Sequence, residues 1–159
     1  MIIRLATAAD IPFMLALEHA SPNAAHWTEQ QYLQLFQPER DAPERLVLIA
    51  ESSLTGSTED ETSEMIGFLV ALHVAREWEL ENIVVAPAAR RRGIGRQLLD
   101  TLLTTARETN SASMFLEVRE SNVAARGLYE KLGFRQTGHR LAYYVNPSEG
   151  AILYRTDLS

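Results

Sequence analysis

Arg90-Arg91-Arg92-Gly93-Ile94-Gly95-Arg96 gathers four positive charges and two glycines at one point of an otherwise acidic chain. The β-branched run Ile83-Val84-Val85 stops before Pro87, and from Gly93 onward Ile94, Leu98 and Leu102 recur at helical spacing. The arginines therefore fall on the turn between a strand and a helix. The first turn of a helix leaves its backbone N–H groups without internal partners, and its dipole favours an anion there. Glycines let a ligand come close to that backbone. Strand, basic turn and helix N-terminus together make a cradle for a phosphate group. The plain alternative for the same residues is a solvated basic turn ahead of an ordinary helix.

An ATP-type loop requires Gly-x-x-x-x-Gly-Lys-Ser/Thr, and no lysine lies near this turn. A dinucleotide fingerprint requires a third glycine three positions after Gly95, where the chain has Leu98. Arg90-x-x-Gly93-x-Gly95 after a strand resembles instead the Arg/Gln-x-x-Gly-x-Gly/Ala signature of the GCN5-related N-acetyltransferase (GNAT) family. The resemblance implies that this loop and the following helix grip the pyrophosphate of acetyl-CoA.

The elements that must position such a site read as one α/β domain spanning residues 1–159. With 46% hydrophobic composition, 159 residues suffice for a single real core. Zero cysteines exclude disulfides, thiolate metal sites and cysteine nucleophiles. No apolar run approaches the roughly twenty residues of a membrane helix, and Met1-Ile2-Ile3-Arg4 lacks a signal pattern. The expectation is a cytoplasmic protein with no membrane partner. A net charge of −6 disfavours nucleic acid, while the local reversal at 90–96 suits a small polyanion.

Along the chain, residues 2–5 read as a strand, and Thr7 or Asp10 caps a helix carrying Ile11, Phe13, Met14, Leu15 and Leu17. Thr28-Glu29-Gln30-Gln31 opens a second helix, ended by Pro38, with Trp27 stapled onto it. Residues 45–50, 65–75 and 78–85 form a three-strand meander. The polar, acidic stretch 52–64 within it predicts a flexible hairpin loop. A helix over 93–109 leads to a strand at 114–119, which the helical crossover makes parallel to the preceding one. A helix capped by Ser121-Asn122 runs through Leu132 and stops at Gly133, and strands at 134–144 and 151–156 close as an antiparallel pair. The order is βααβββαβαββ, an α/β fold with a mixed, mostly antiparallel sheet flanked by helices.

Leu116-Glu117-Val118-Arg119-Glu120-Ser121-Asn122, followed by Leu128-Tyr129-Glu130-Lys131-Leu132-Gly133-Phe134, resembles the GNAT branch that acetylates protein N-termini, the bacterial ribosomal-protein alanine acetyltransferases. The similarity runs from about residue 79 to 144, with a fainter echo at His26-Trp27-Thr28-Glu29. It implies a parallel strand pair splayed at the cofactor site, where the backbone of Ile83, Val84 and Val85 pairs with the pantetheine arm. Arg91, Arg92, Gly93, Ile94, Gly95 and Arg96 then form the pyrophosphate loop, and Asn122 contacts the cofactor. Glu117 matches the general base and Tyr129 the general acid.

Acetyl transfer to an amine needs a proton acceptor, a polarised carbonyl and a proton donor for the departing thiolate. Glu117, amid Phe115, Leu116 and Val118 at the end of its strand, is a carboxylate placed to accept a proton directly or through water. Glu79 and Glu81, alternating on one face of the neighbouring strand, are rival bases. The structural alternatives pair Glu117 with Arg119 or Arg126 and pack Tyr129 on Phe134.

Three positions depart from the family pattern. Ala86 stands where an aspartate usually precedes the proline, and Gly127 sits mid-helix at a cost of about 1 kcal/mol against alanine. The loop after Tyr143-Tyr144 is short and lacks the acidic pair before Ala151. The expected function is an acetyl-CoA-dependent, metal-free N-acetyltransferase of a primary amine, with a protein or peptide α-amine ahead of a small-molecule amine. The alternative is a noncatalytic acyl-CoA-binding sensor. The expected assembly is a monomer or homodimer.

Overall fold

Seven strands form one sheet in the order β1-β2-β3-β4-β5-β7-β6, and every neighbouring pair is antiparallel except β4 and β5. The computed structural model describes residues 1–53, 62–145 and 148–159. Its elements are β1 (Ile2–Leu5), α1 (Ile11–His19), α2 (Glu29–Phe36), β2 (Glu44–Ser53), β3 (Ser63–Val74), β4 (Glu77–Val85), α3 (Ile94–Glu108), β5 (Ser113–Arg119), α4 (Val123–Lys131), β6 (Arg135–Tyr144) and β7 (Glu149–Asp157). This is the order read from the sequence. Short 3-10 turns at Ala8–Asp10 and Pro87–Ala89 lead into α1 and the basic loop.

Strands β2 and β3 run further than their apolar stretches, pairing Ser52 with Glu64 and Ser53 with Ser63. The expected flexible loop falls mostly on residues 54–61, which lie outside the described residues. The closing antiparallel pair is present, but the last strand inserts between β5 and β6. Composition explains the swap. Ala151, Ile152 and Tyr154 of β7 are buried and suit an interior strand, whereas β6 is polar and largely exposed, as an edge strand should be.

The helices cover both faces of the sheet. On one, α3 buries the stripe Ile94, Leu98, Leu99, Leu102, Leu103 and Ala106 against Trp78, Leu80, Leu116 and Tyr129. Each fully buried leucine contributes about 1.5–3 kcal/mol. On the other, Met14 and Tyr32 of α1 and α2 pack on Ile49, Phe68, Val70 and Val84. Helix α2 starts as its sequence dictates: Thr28 Oγ1 accepts from Gln31 N at 3.2 Å, Gln31 Oε1 accepts from Thr28 N at 2.8 Å, and the Trp27 ring lies 5.4 Å from that of Tyr32, closing the staple.

Strand β4 carries the feature that shapes the site. Val70 opposes Asn82 and Ala71 opposes Leu80, so Glu81 is an extra residue, a β-bulge. Before it, Trp78 and Leu80 join the α3 core; after it, Val84 joins the α1/α2 core while Ile83 and Val85 turn toward α3.

Candidate active site

Parallel pairing of β4 with β5 lasts only from Glu77 with Ser113 to Leu80 with Leu116. Beyond it, residues 82–85 stay paired with β3 and residues 117–119 with β7, so the strands part and a cleft opens through the sheet. The cavity is about 150 Å³ and is lined by Leu80–Ile83 of β4, Glu117–Arg119 of β5, Asn122, Ala125 and Tyr129 at α4, Tyr144, and the 23–25 segment after α1.

The basic loop expected to cradle a phosphate stands at the C-terminal end of β4. Gly93, at φ 78°, takes the left-handed conformation that starts α3 cleanly. The first helical bond there is Gln97 N–H to the Gly93 carbonyl at 3.0 Å. Among the described residues, the amides of Ile94, Gly95 and Arg96 have no backbone partner. Neither Arg91 nor Arg92 has an ion pair or side-chain hydrogen bond among the described residues, while Arg96 lies 3.6 Å from Asp100. Arg90 turns away, donating through Nε to the Val85 carbonyl and through Nη2 to Ser21 Oγ, both at 3.4 Å. A Cβ built on Gly95 would meet Leu128 at 3.5 Å and Val85 at 3.7 Å, ordinary contacts that the chain itself tolerates.

Asn122 caps α4, its Oδ1 accepting from Ala125 N at 3.3 Å, and borders the cleft. Glu117 pairs with neither Arg119 nor Arg126. Its Oε1 lies 3.2 Å from Arg140 Nη2 on β6, and Glu117 is the chief cause that raises the Tyr143 pKa. Arg119 instead lies 3.1 Å from Glu149 and under the Tyr144 ring, 4.3 Å from its centroid. Arg126 donates to Tyr154 Oη at 3.2 Å and to the Glu120 carbonyl at 2.9 Å.

Tyr129 does pack on Phe134, edge-on at 5.9 Å, and beside Tyr154 at 6.2 Å. Packing does not consume its hydroxyl, which makes no hydrogen bond among the described residues, and Tyr129 lines the cleft. Burial, and secondarily Tyr144, push its pKa well above the usual phenol value.

Of the two rival carboxylates, Glu81 is held by Arg45, at 2.8 Å from Nε and 3.2 Å from Nη2. Glu79 makes no such pair, and burial, then the negative charges of Glu81 and Glu117, raise its pKa. Among the described residues, no group of three or more His, Cys, Asp or Glu is placed to hold a metal ion.

The structure thus gathers Ile83, Glu117, Asn122 and Tyr129 around one cleft, with the basic loop following β4. Sequence reading missed Arg140 and Tyr143, which arrive from β6 across the intervening β7, and the 23–25 wall. The Tyr143-Tyr144 doublet was the only local signal for that side.

Comparison with known proteins agrees with this architecture. The chain is 41% identical over 90 residues to the ribosomal protein bS18-alanine N-acetyltransferase of Haemophilus influenzae, a match spanning 57% of this chain and 61% of that protein. The crystal structure of the ribosomal-protein-S18-alanine N-acetyltransferase from Escherichia coli superposes with a TM-score of 0.77 at 28% identity, covering 99% of this chain and 94% of that one. Ard1 from Thermoplasma volcanium superposes with a TM-score of 0.79 at 26% identity, covering 99% and 97%. Residues 13–134 match the acetyltransferase (GNAT) family model, and the chain belongs to that family.

Proposed function

We propose that the protein is an acetyl-CoA-dependent N-acetyltransferase whose acceptor is the α-amine of a protein or peptide N-terminus. The cleft between β4 and β5 carries this reading, because it joins an anion-binding helix end to a carboxylate and a free phenol. The residues fit the cosubstrate: three amides and the Arg91 and Arg92 side chains without partners among the described residues, and a glycine at 95 that internal packing does not require, all suit a pyrophosphate. Ile83, Val84 and Val85 present the β4 backbone to the pantetheine arm, and Asn122 faces it from α4.

Acetyl-CoA supplies a thioester carbonyl and a thiolate leaving group. Glu117, held in place by Arg140, takes the first proton from the acceptor ammonium. A β4 amide near Val84 or Val85 polarises the carbonyl oxygen. Tyr129, kept protonated by burial, gives its proton to sulfur as the carbon–nitrogen bond forms and the carbon–sulfur bond breaks. The second nitrogen proton, lost as the amide forms, returns to the Tyr129 phenolate, and Glu117 releases the first to solvent. A second reading makes Glu79 the base, because its raised pKa brings it nearer to neutral pH.

The peptide acceptor is favoured by the names of the bS18-alanine relatives and by an acidic acceptor side, Glu79, Glu81 and Glu117, suited to an ammonium. The proposal includes a cytoplasmic monomer or homodimer that needs no metal and binds no nucleic acid. An acetylation screen over alanine-terminated peptides and polyamines tests it, with peptide turnover expected. Turnover of polyamines alone would replace the acceptor, and acetyl-CoA binding without any turnover would favour the sensor.

A further inference from the structure

Glu18 on α1 is fully buried and takes no part in the chemistry above. Its Oε1 accepts three hydrogen bonds, from Trp27 N at 2.9 Å, Tyr32 Oη at 2.8 Å and Asn82 Nδ2 at 3.2 Å. Asn82 Nδ2 also donates to Tyr32 Oη at 3.1 Å. Among the described residues Oε2 is buried without a hydrogen-bond partner. A carboxylate out of water is costly unless hydrogen bonds compensate it, and an apolar side chain would hold α1 on the sheet at least as well. What the carboxylate adds is direction.

The three donors belong to the elements on the acceptor side: the segment after α1, helix α2, and β4 at the residue following the bulge. That segment contributes Asn23, Ala24 and Ala25 to the cleft wall. It is tied a second time where Arg90, from the basic loop, donates to Ser21 Oγ. Tyr32 is a constant donor, since burial and the Glu18 charge push its ionisation far up.

We propose that Glu18 is a positioning residue that fixes the 20–27 segment against Asn82 and so sets the width of the cleft on its acceptor side. The inference rests on the acetyltransferase reading only in naming that side. All three bonds converge on Oε1, so glutamine, with its amide nitrogen where Oε2 has no partner, suffices, whereas leucine does not.

The test compares Glu18→Leu, Glu18→Gln and Tyr32→Phe in the full chain saturated with CoA. The readouts are calorimetric affinity for an alanine-terminated peptide, acceptor KM against kcat, and hydrogen exchange at the Trp27 amide. In Glu18→Leu, peptide Kd and acceptor KM are expected to rise about tenfold, equivalent to about 1.4 kcal/mol. Acetyl-CoA affinity should hold, and the Trp27 amide should exchange faster. Glu18→Gln is expected to restore all three. Tyr32→Phe keeps the ring packed on Trp27 and Phe68, so it folds even where leucine at 18 does not, and should weaken peptide binding alone. The inference is overturned by a folded Glu18→Leu with wild-type peptide affinity, by a glutamine variant as weak as the leucine one, or by equal losses of peptide and acetyl-CoA. A wild type that binds peptide but transfers no acetyl refutes the proposed catalysis, while the affinity comparison still decides the role of Glu18.

Discussion

Glu117→Gln keeps the side chain's shape and its place beside Arg140 but cannot accept a proton, so kcat should fall by roughly 10² to 10⁴ with acetyl-CoA affinity intact. Tyr129→Phe preserves the packing on Phe134 and Tyr154 and should slow turnover without weakening cosubstrate binding. Steady-state kinetics with calorimetry checks both; wild-type turnover in both variants, with Glu79→Gln inactive, would move the base to β4. Glu79 yields a separate thermal prediction. Its folded pKa is raised, so its favourable contribution exists below the unfolded value of about 4.3 and is lost as pH rises through the folded value. Glu79→Gln should therefore raise Tm at pH 7 and not at pH 4, and a melt at the two pH values decides it. Arg91, Arg92, Gly93 and Gly95 could be singled out because the proposed phosphate cradle is written in consecutive residues. Arg140 and Glu18 were not, because Arg140 reaches Glu117 across the intervening β7 and Glu18 looks like a polar position of α1 until the fold closes over it.

Element order was fully legible, since each helix and strand announces itself by local period and cap. The bulge at Glu81 was hidden: Trp78, Leu80, Asn82 and Val84 alternate without interruption as buried residues, and only the two cores they enter reveal the change of face. The place of β7 was hidden as well, because an antiparallel pair reads alike whichever member is outermost. Gly67 marks how closely β3 approaches the end of β4. A Cβ there would lie 3.0 Å from the Val84 carbonyl oxygen, 3.4 Å from Ile94 and 3.5 Å from Leu98. Gly67→Ala should destabilise the fold by about 1–3 kcal/mol, seen as a lower midpoint in urea, and should weaken acetyl-CoA binding through displaced Val84. An unchanged midpoint would mean that β3 and β4 slide apart freely.

The whole molecule is electrically polarised, a chain of net charge −6 with four arginines crowded into residues 90–96. Acetyl-CoA affinity should fall as ionic strength rises, because loop charges exposed to solvent are screened beyond about 8–10 Å at moderate salt. The Arg91→Glu, Arg92→Glu pair should flatten that dependence as it weakens binding, which titrations at two salt concentrations will show. With four residue pairs joining β4 to β5, the sheet consists of two antiparallel blocks, β1–β4 and β5–β7, sharing a narrow seam bridged by α3. Such a seam is where a protein divides into separate cooperative opening units. Native-state exchange should resolve two protection levels in the free protein. A cosubstrate seated in the seam grips both blocks, so saturating acetyl-CoA should lift the weaker level toward the stronger and make the chain open as one unit, the ligand acting as the missing rungs of the ladder.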